Sequence, residues 1–277
     1  MPRAVRILCL MPIVCCVLAS MVGCDRGGDY AQSTPEDVFE SARAMVEAGD
    51  HERLHELLWT DDPRERAVYL RLGRAFGALA ELAATVEEKF PEDVEALRSG
   101  NDANGLLGDL LRGAGRRGRN RGDGPSGRDR IQTLLTSLAA DPYGFIERSQ
   151  DRISSEKISN TKAAIMWDGK PVLPPFGMVM TEVDDRWYVV PPITNPLIAR
   201  WRPAADEEFA ILGYLADVVT NTAQELAAET RRGENKSLEG VAESAGEKAF
   251  IPASMCVLAY SRAVQARRDA GSDESDS

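Results

Sequence analysis

The two histidines of this chain lie close together, in the segment His51-Glu-Arg-Leu-His55. This is the pattern H-E-x-x-H, in which two imidazoles bind Zn²⁺ and the glutamate, here Glu52, acts as the general base of a metallopeptidase. A catalytic zinc also needs a third protein ligand and an open position for water. Because the chain has no third histidine, a carboxylate of the next predicted helix must supply that ligand. Glu81, Glu87 and Glu88 are the candidates, and we choose Glu81. One hypothesis is therefore a zinc-dependent hydrolase that uses the two histidines, Glu52 and Glu81.

The residues around the pattern favour a noncatalytic interpretation. In zinc peptidases the pattern lies inside a long helix with uncharged positions between the ligands, whereas here Arg53 lies between the histidines and Glu56 follows them. Asp50 predicts the N-cap of a short second helix. The residues of that helix expected to face the core are Leu54, Leu57 and Leu58. We therefore predict two partly exposed histidines and no catalytic residue. A noncatalytic metal site is the alternative, since residues four apart share one face of an α-helix.

No other group of residues predicts a chemistry. The sequence has no glycine-rich phosphate loop after a predicted strand, no G-x-S-x-G nucleophile elbow and no Cys/His cluster. Adjacent carboxylates such as Glu207 and Glu208 are interpreted as solvated, because neighbouring positions of a helix point apart. The net charge of −11 argues against a nucleic-acid partner, since a phosphate backbone would be repelled. The sequence thus predicts neither a cofactor nor a nucleic-acid partner.

The N-terminus has the organisation of an export signal. Two arginines precede an apolar run at residues 7–22, which has the length of a secretory h-region. The run ends in Ser20-Met-Val-Gly-Cys24, which resembles the lipobox of bacterial lipoprotein precursors. The resemblance implies cleavage between Gly23 and Cys24 and acylation of Cys24, and two or three acyl chains give stable anchoring. It therefore implies a chain that is exported and lipid-anchored to a bacterial membrane on its noncytoplasmic side. The alternatives are an ordinary signal peptide and an uncleaved anchor in which the cysteine is coincidental.

Composition divides the exported chain into several parts. Residues 24–33 form a tether, residues 34–270 a single globular domain, and residues 271–277 an acidic tail that is predicted to be disordered. Inside the domain, the Gly/Arg-rich run at about 112–130 has too little apolar surface to fold and is predicted to be a disordered loop. Once the signal peptide has left and the anchor cysteine is lipidated, Cys256 is the remaining thiol. We expect it to be buried in a fold that has no intrachain disulfide.

Capping residues and apolar periodicity predict a largely helical domain. Thr34 and Pro35 begin the first helix, which ends at Gly49. Further helices are predicted at residues 61–90, from 91, at about 131–140, at 205–232 and at 238–267. Strands are predicted at residues 157–167, 172–183 and 187–190, with turns at Asp168-Gly169 and Asp184-Asp185. The predicted fold class is α+β, predominantly helical with a small antiparallel β-meander.

Two segments resemble parts of nuclear transport factor 2-like domains, especially the small ones of bacterial lipoproteins. Residues 34–50 have the Pro-Glu start and the Gly-Asp end of the first helix in that family. Residues 178–190 resemble its terminal hairpin, in which a turn precedes Trp and Val. The resemblance implies an elaborated cone of helices and a curved sheet around a cavity, and it transfers no catalytic dyad. A long, mostly helical segment separates the two matches, which departs from the family.

Together these features predict a membrane-anchored lipoprotein whose domain is a noncatalytic ligand-binding or assembly module of the cell envelope. The expected partners are the membrane, through the lipid on Cys24, and either a small apolar ligand or an envelope protein. The alternative function is the zinc-dependent hydrolase described above.

Overall fold

Helices make up most of the structure, a computed structural model that describes residues 30–99, 135–144, 146, 149–172, 178–191 and 202–273. A small antiparallel sheet completes it, and the predicted α+β class is confirmed. The chain divides into two compact units, Met1–Tyr30 and Ala31–Ser277, and every helix and strand named below lies in the second. Several predicted features lie outside the described residues, among them the signal peptide with Cys24, most of the tether, the Gly/Arg-rich loop and residues 274–277 of the tail.

The first helix, α1 (Pro35–Ala48), begins and ends as its sequence predicts. The backbone N–H of Asp37 donates to Thr34 Oγ1 at 3.2 Å, and the backbone N–H of Thr34 donates to the Asp37 carboxylate at 2.9 Å. The two residues therefore form a capping box. Gly49 follows the helix with a φ of 79°, in the left-handed region where a residue without Cβ has no steric cost.

The next segment is a 3-10 helix, His51–Leu57, and not the α-helix that the sequence predicts. Asp50 occupies the N-cap position, but its side chain makes no capping hydrogen bond. Leu54 and Leu57 are buried, as predicted. The 3-10 geometry changes where the histidines lie, because a 3-10 helix has three residues per turn. It places residues three apart, and not four apart, on one face.

Four further α-helices lie within the described residues: α2 (Pro63–Lys89), α3 (Pro91–Ser99), α4 (Asp206–Arg232) and α5 (Leu238–Asp273). Residues 135–140 are also helical. The starts of these helices agree with the predictions. Helix α5 is continuous through Pro252 and extends beyond its predicted end, so residues 271–273 are helical and do not belong to a disordered tail.

Helices α2 and α4 lie side by side and run in the same direction. Ion pairs connect them in register: Arg64 with Asp206 at 2.9 Å, Arg71 with Asp217 at 2.6 Å, and Glu81 with Arg231 at 2.7 Å. The separation along the chain between the partners stays nearly constant from pair to pair, which identifies a parallel arrangement.

Helix α5 returns antiparallel to α4 and completes the main core. Lys248 pairs with Glu225 at 2.7 Å, while Arg267, further along α5, pairs with Glu208 near the start of α4. The core contains buried apolar residues from α2 to α5 and from residues 139–140. Its members are Ala78, Leu82, Val86, Val94, Ala139, Ala140, Ala223, Leu226, Ala227, Leu238, Val241 and Ala245.

The sheet contains β1 (Ile153–Ser159), β2 (Lys162–Trp167), β3 (Lys170–Pro171), β4 (Val179–Val183) and β5 (Arg186–Val190). The strands are antiparallel in the order β1-β2-β4-β5, and β3 pairs with the end of β2. Two-residue turns join β2 to β3 and β4 to β5. Their residues Asp168, Gly169, Asp184 and Asp185 have the positive φ of type I′ turns, so both predicted turns are confirmed.

Two predicted strand boundaries are wrong. The single strand predicted at residues 157–167 is a hairpin, because the chain turns at residues 160 and 161. Asn160 is the turn-forming residue at this point. Val172 does not begin a long strand, since β3 stops at Pro171, which has no N–H to continue a ladder, and β4 begins at Val179. The predicted bulge at residues 174–175 lies outside the described residues.

Strand β5 connects the sheet to the N-terminal part of the domain. The N–H of Trp187 donates to the carbonyl of Gln32 at 2.7 Å, and Gln32 Nε2 donates back to the carbonyl of Trp187 at 2.8 Å. The N–H of Trp59 donates to the carbonyl of Val189 at 2.9 Å, and Leu58 pairs with Val189 as a parallel bridge. The 3-10 helix is therefore held against both β5 and α2.

Candidate functional site

His51 and His55 face different surroundings. The ring of His51 packs against Tyr143, with the ring centroids 4.5 Å apart. Nδ1 of His55 lies 2.5 Å from the carbonyl oxygen of Glu52 and donates to it, since a carbonyl can only accept. Because the two histidines are four apart in a 3-10 helix, their directions differ by about a third of a turn. The shared face that the sequence predicts for them does not form.

The surroundings of His51 favour its neutral form. Burial lowers the pKa of this imidazole from its ordinary value of 6.5, and the backbone of Gly49 and the charge of Asp50 oppose the shift only in part.

The 3-10 helix approaches α2 closely at two glycines. A Cβ added to Gly73 would lie 2.5 Å from the carbonyl oxygen of Glu52 and 2.6 Å from Nδ1 of His55. A Cβ added to Gly77 would lie 2.5 Å from Cγ of Glu52. Atoms do not approach so closely in folded proteins. At Gly73 the nearest atom is a backbone oxygen, so only glycine fits there, whereas at Gly77 the flexible side chain of Glu52 would have to shift. The glutamate and the second histidine of the H-E-x-x-H pattern therefore pack on a glycine surface of the neighbouring helix.

Glu81 is close to part of the pattern but has another partner. It lines a pocket of about 390 Å³ together with His51 and Glu52, and His55 is not among the residues that line this pocket. The carboxylate of Glu81 also accepts a hydrogen bond of 2.7 Å from Arg231. In the described part of the chain, no group of three or more His, Cys, Asp or Glu side chains is placed to hold a metal ion. The geometry does not assemble the ligand set that a zinc hydrolase needs.

Glu208 differs from its sequence interpretation. It is fully buried, and therefore not a solvated carboxylate. Its Oε1 accepts a hydrogen bond of 2.7 Å from Nε of Arg267, and its Oε2 accepts one of 2.6 Å from the N–H of Ala204. Burial alone raises the pKa of this carboxyl, but the hydrogen bonds from Arg267, Ala204 and Ala205 outweigh burial and lower the pKa from its ordinary value. Charged Glu208 thus joins the start of α4 to the end of α5.

Large apolar side chains on the middle of α5 are exposed to solvent. We call this set the α5 apolar surface, and its members are Phe250, Ile251, Met255, Val257 and Leu258. Their exposed fractions lie between 58% and 69%. No charged residue occurs from position 249 to position 261. Contiguous apolar surface of this kind is typical of interaction sites.

A narrow apolar groove lies beside this surface, between α4 and α5. It has a volume of about 260 Å³ and is lined by Leu212 and Leu215 of α4 and by Cys256, Val257 and Tyr260 of α5. Cys256 is half-buried, so the prediction of a buried thiol is only partly correct.

The sequence interpretation did not identify the α5 apolar surface, since its one expectation for these residues was a buried Cys256. A signal was present in the spacing. One face of a packed helix needs apolar residues three and four apart, whereas here pairs such as Ile251 with Phe250 and Leu258 with Val257 widen the apolar arc beyond one face. Buried Val241, Ala245 and Val264 already supply the inner face of α5.

Comparison of the chain with protein-family models, with curated proteins and with solved structures finds no match. The resemblance to nuclear transport factor 2-like domains therefore stays a prediction. None of the helices in the described ranges is both long enough and apolar enough to cross a membrane.

Proposed function

We propose that this chain is an exported bacterial lipoprotein, anchored through Cys24, whose domain is a noncatalytic assembly module of the cell envelope. The observation that carries the proposal is the α5 apolar surface. Side chains that are 58% to 69% exposed leave apolar area in water, and covering such area contributes about 25 cal/mol per Å². A partner that buries this surface is therefore stabilised by the hydrophobic effect.

The dimensions of the groove favour an assembly surface over a small-ligand site. Pockets for small molecules have volumes of about 300–1,000 Å³ and enclose most of the ligand. The apolar groove between α4 and α5, at about 260 Å³, is smaller than this range. The pocket beside His51 is larger, at about 390 Å³, but carboxylates of Glu52 and Glu81 line it, and they do not suit an apolar ligand.

The anchor is tested on the full chain expressed in a bacterium. Mass spectrometry of the mature protein should find an acylated Cys24 as the first residue, and Cys24→Ser should release the protein from the membrane fraction. Cys16→Ser is the matched control, because Cys16 belongs to the predicted signal peptide and its replacement should leave the anchoring unchanged. An intact leader or an unmodified Cys24 in the mature protein contradicts the proposed anchoring.

The assembly role is tested by the size of the particle that the chain forms. Membranes are cross-linked before they are dissolved in mild detergent, and the mass of the full chain is measured by sedimentation. We expect a particle heavier than one chain, reduced to a single chain by the combined substitutions Ile251→Gln, Met255→Gln and Leu258→Gln. The matched control is Leu70→Gln with Ile158→Gln, which removes exposed apolar residues elsewhere. A wild-type protein with the mass of one chain contradicts the assembly role.

A further inference from the structure

A single stripe of α5 combines apolar residues with charges at its two ends. Ile251, Met255 and Leu258 are 61% to 65% exposed, and Glu247 and Arg262 are also exposed. The steps between these five positions are four, four, three and four residues, so the side chains lie along one side of the helix. This is the spacing by which one helix packs along another.

The two ends of the stripe carry opposite charges. Glu243 and Glu247 precede the apolar residues, and Arg262 follows them. Within the described residues, none of these three side chains has an ion pair or a hydrogen bond. By contrast, Lys248 and Arg267 on the inner side of α5 are paired with carboxylates of α4. The charges on the stripe are therefore not needed for the packing of α4 on α5.

We propose that the α5 apolar surface binds a second copy of this chain, with the two α5 helices antiparallel and the two-fold axis close to Met255. In this arrangement Ile251 of one copy lies opposite Leu258 of the other. Glu247 of each copy faces Arg262 of the other, at both ends of the pair. The inference rests on the proposed assembly role and names its partner.

The direction of the pair follows from the order of the charges. In a parallel pair Glu247 would lie opposite Glu247 and Arg262 opposite Arg262, and both contacts are repulsive. An antiparallel pair replaces both repulsions with attractions. It also has the two-fold symmetry that is commonest among protein dimers.

Within the described residues, the outer side of α5 is exposed and the contact requires no rearrangement. Helix α4 packs on the inner side of α5, where Val241, Ala245 and Val264 are buried. The second copy packs on the outer side, where the stripe lies. The pair would consist of two intact α4–α5 hairpins in contact through their α5 helices.

A membrane surface fits the stripe less well than a second copy. Helices that lie in the headgroup region carry Lys and Arg beside their apolar face and are attracted by anionic lipids. Here Glu243 and Glu247 flank one end of the apolar residues, and the chain has a net charge of −11. Anionic lipid would repel that end, whereas Arg262 of a second copy is complementary to it.

Charge reversal on the full anchored chain tests the pairing. Glu247→Arg and Arg262→Glu should each weaken self-association by about tenfold, because each makes two ion pairs repulsive. The two substitutions in one chain should restore self-association to near the wild-type value. The matched control is Glu88→Arg, an exposed reversal on α2 that should have no effect. Failure of the double variant to recover overturns the inference.

Cysteine cross-linking in membranes determines the direction. In a Cys256→Ser background, Met255→Cys should give a disulfide-linked dimer, since a cysteine near the two-fold axis meets its own copy. Glu247→Cys and Arg262→Cys should not link to themselves but should link to each other when two differently tagged chains are coexpressed.

Three other results would overturn the proposed antiparallel pair, and each indicates a different partner or direction. Self-linking at all three positions indicates a parallel pair. A heavy particle with no linking at Met255→Cys indicates a different envelope protein, and the proposed assembly role then stands without the second copy. A particle with the mass of one chain, whose stripe is shielded from solvent only when anionic vesicles are present, indicates a membrane contact. The assembly role then fails as well.

Discussion

Nε of Arg267 donates a hydrogen bond of 2.7 Å to Oε1 of Glu208, a carboxylate with no exposed surface. The same guanidinium donates through Nη2 to the carbonyl of Arg202 at 3.0 Å. One arginine near the end of α5 thus holds both the start of α4 and the chain that leads into it. Removal of one member of such a pair leaves the other without its partner, which costs more than the pair itself contributes.

Glu208→Gln should therefore destabilise the domain. We expect a loss of about 3 kcal/mol, the low end of the range for buried pairs, because the Arg267 side chain is 35% exposed. The measurement is urea unfolding of the full chain at pH 7. Glu207→Gln is the matched control, since its neighbouring carboxylate is exposed and should change stability little. Equal effects of the two substitutions would contradict a structural role for the buried carboxylate.

Glu208→Gln should also change how the unfolding free energy of the domain depends on acidic pH. The pKa of Glu208 is lower in the fold than its ordinary value of 4.5, so the unfolded chain binds a proton first as the pH falls. The stabilisation by this carboxylate is complete above pH 4.5 and is lost as the pH falls below 4.5 through the lower folded pKa. The difference in unfolding free energy between wild type and Glu208→Gln should shrink in that window. A difference that stays constant down to pH 3 argues against this linkage.

His51 should destabilise the fold at mildly acidic pH. Burial lowers its pKa below 6.5, so between the folded pKa and 6.5 the unfolded chain holds more protons than the folded one. The unfolding free energy should therefore fall as the pH decreases from 7.5 to 5, and it should fall less in His51→Phe, which keeps a ring against Tyr143. An NMR titration of the imidazole gives the pKa directly. A value at or above 6.5 would show that this account is wrong.

Gly73→Ala should destabilise the domain although alanine is the better helix former. In a solvent-exposed helix, replacing glycine with alanine stabilises the protein by up to about 1 kcal/mol. At Gly73 the new Cβ would lie 2.5 Å from the Glu52 carbonyl, and overpacking of this kind costs about 1–3 kcal/mol. Gly246→Ala is the control, because its Cβ would lie 3.7 Å from Leu135, an ordinary contact, and should stabilise α5. Thermal unfolding of both variants compares the two sites, and a stabilised Gly73→Ala would disprove the close packing.

Metal analysis tests the hypothesis that the H-E-x-x-H pattern binds zinc. Purified full chain, exposed to Zn²⁺ and then passed through a desalting column, should retain less than one zinc per chain, because His51 and His55 do not share a face. The double variant His51→Ala with His55→Ala should retain the same amount. One zinc per wild-type chain that the double variant loses would instead support a metal site at the two histidines, as in the hydrolase or in the noncatalytic site.

Local signals predicted much of the fold. Four predicted features depend on only a few neighbouring residues, and the structure contains all of them. They are the capping box at Thr34, the end of α1 at Gly49, the start of α2 at Pro63 and the turn at Asp168-Gly169. The hairpin turn at residues 160 and 161 was missed because it contains neither Gly nor Pro and only Asn160 marks it.

Features that depend on distant partners were not predictable from local pattern. The segment around His51 forms a 3-10 helix whose backbone packs closely on Gly73, and nothing within the segment itself predicts that contact. Glu208 has the sequence context of a solvated residue, and its burial depends on Arg267, 59 positions later. The apolar residues of α5 indicate a helix with a nonpolar side, but periodicity cannot say whether another element covers that side.

The parallel register of α2 and α4 determines the order in which the domain can be completed. Arg64 and Asp206 are 142 positions apart, so their contact closes a long loop, whereas Lys248 and Glu225 in the C-terminal hairpin are only 23 apart. Contacts between close positions form faster than contacts across long loops. The hairpin of α4 and α5 should therefore form first and act as a template for α2. Until that hairpin has formed, the part of α2 that α4 covers in the folded domain remains exposed to water.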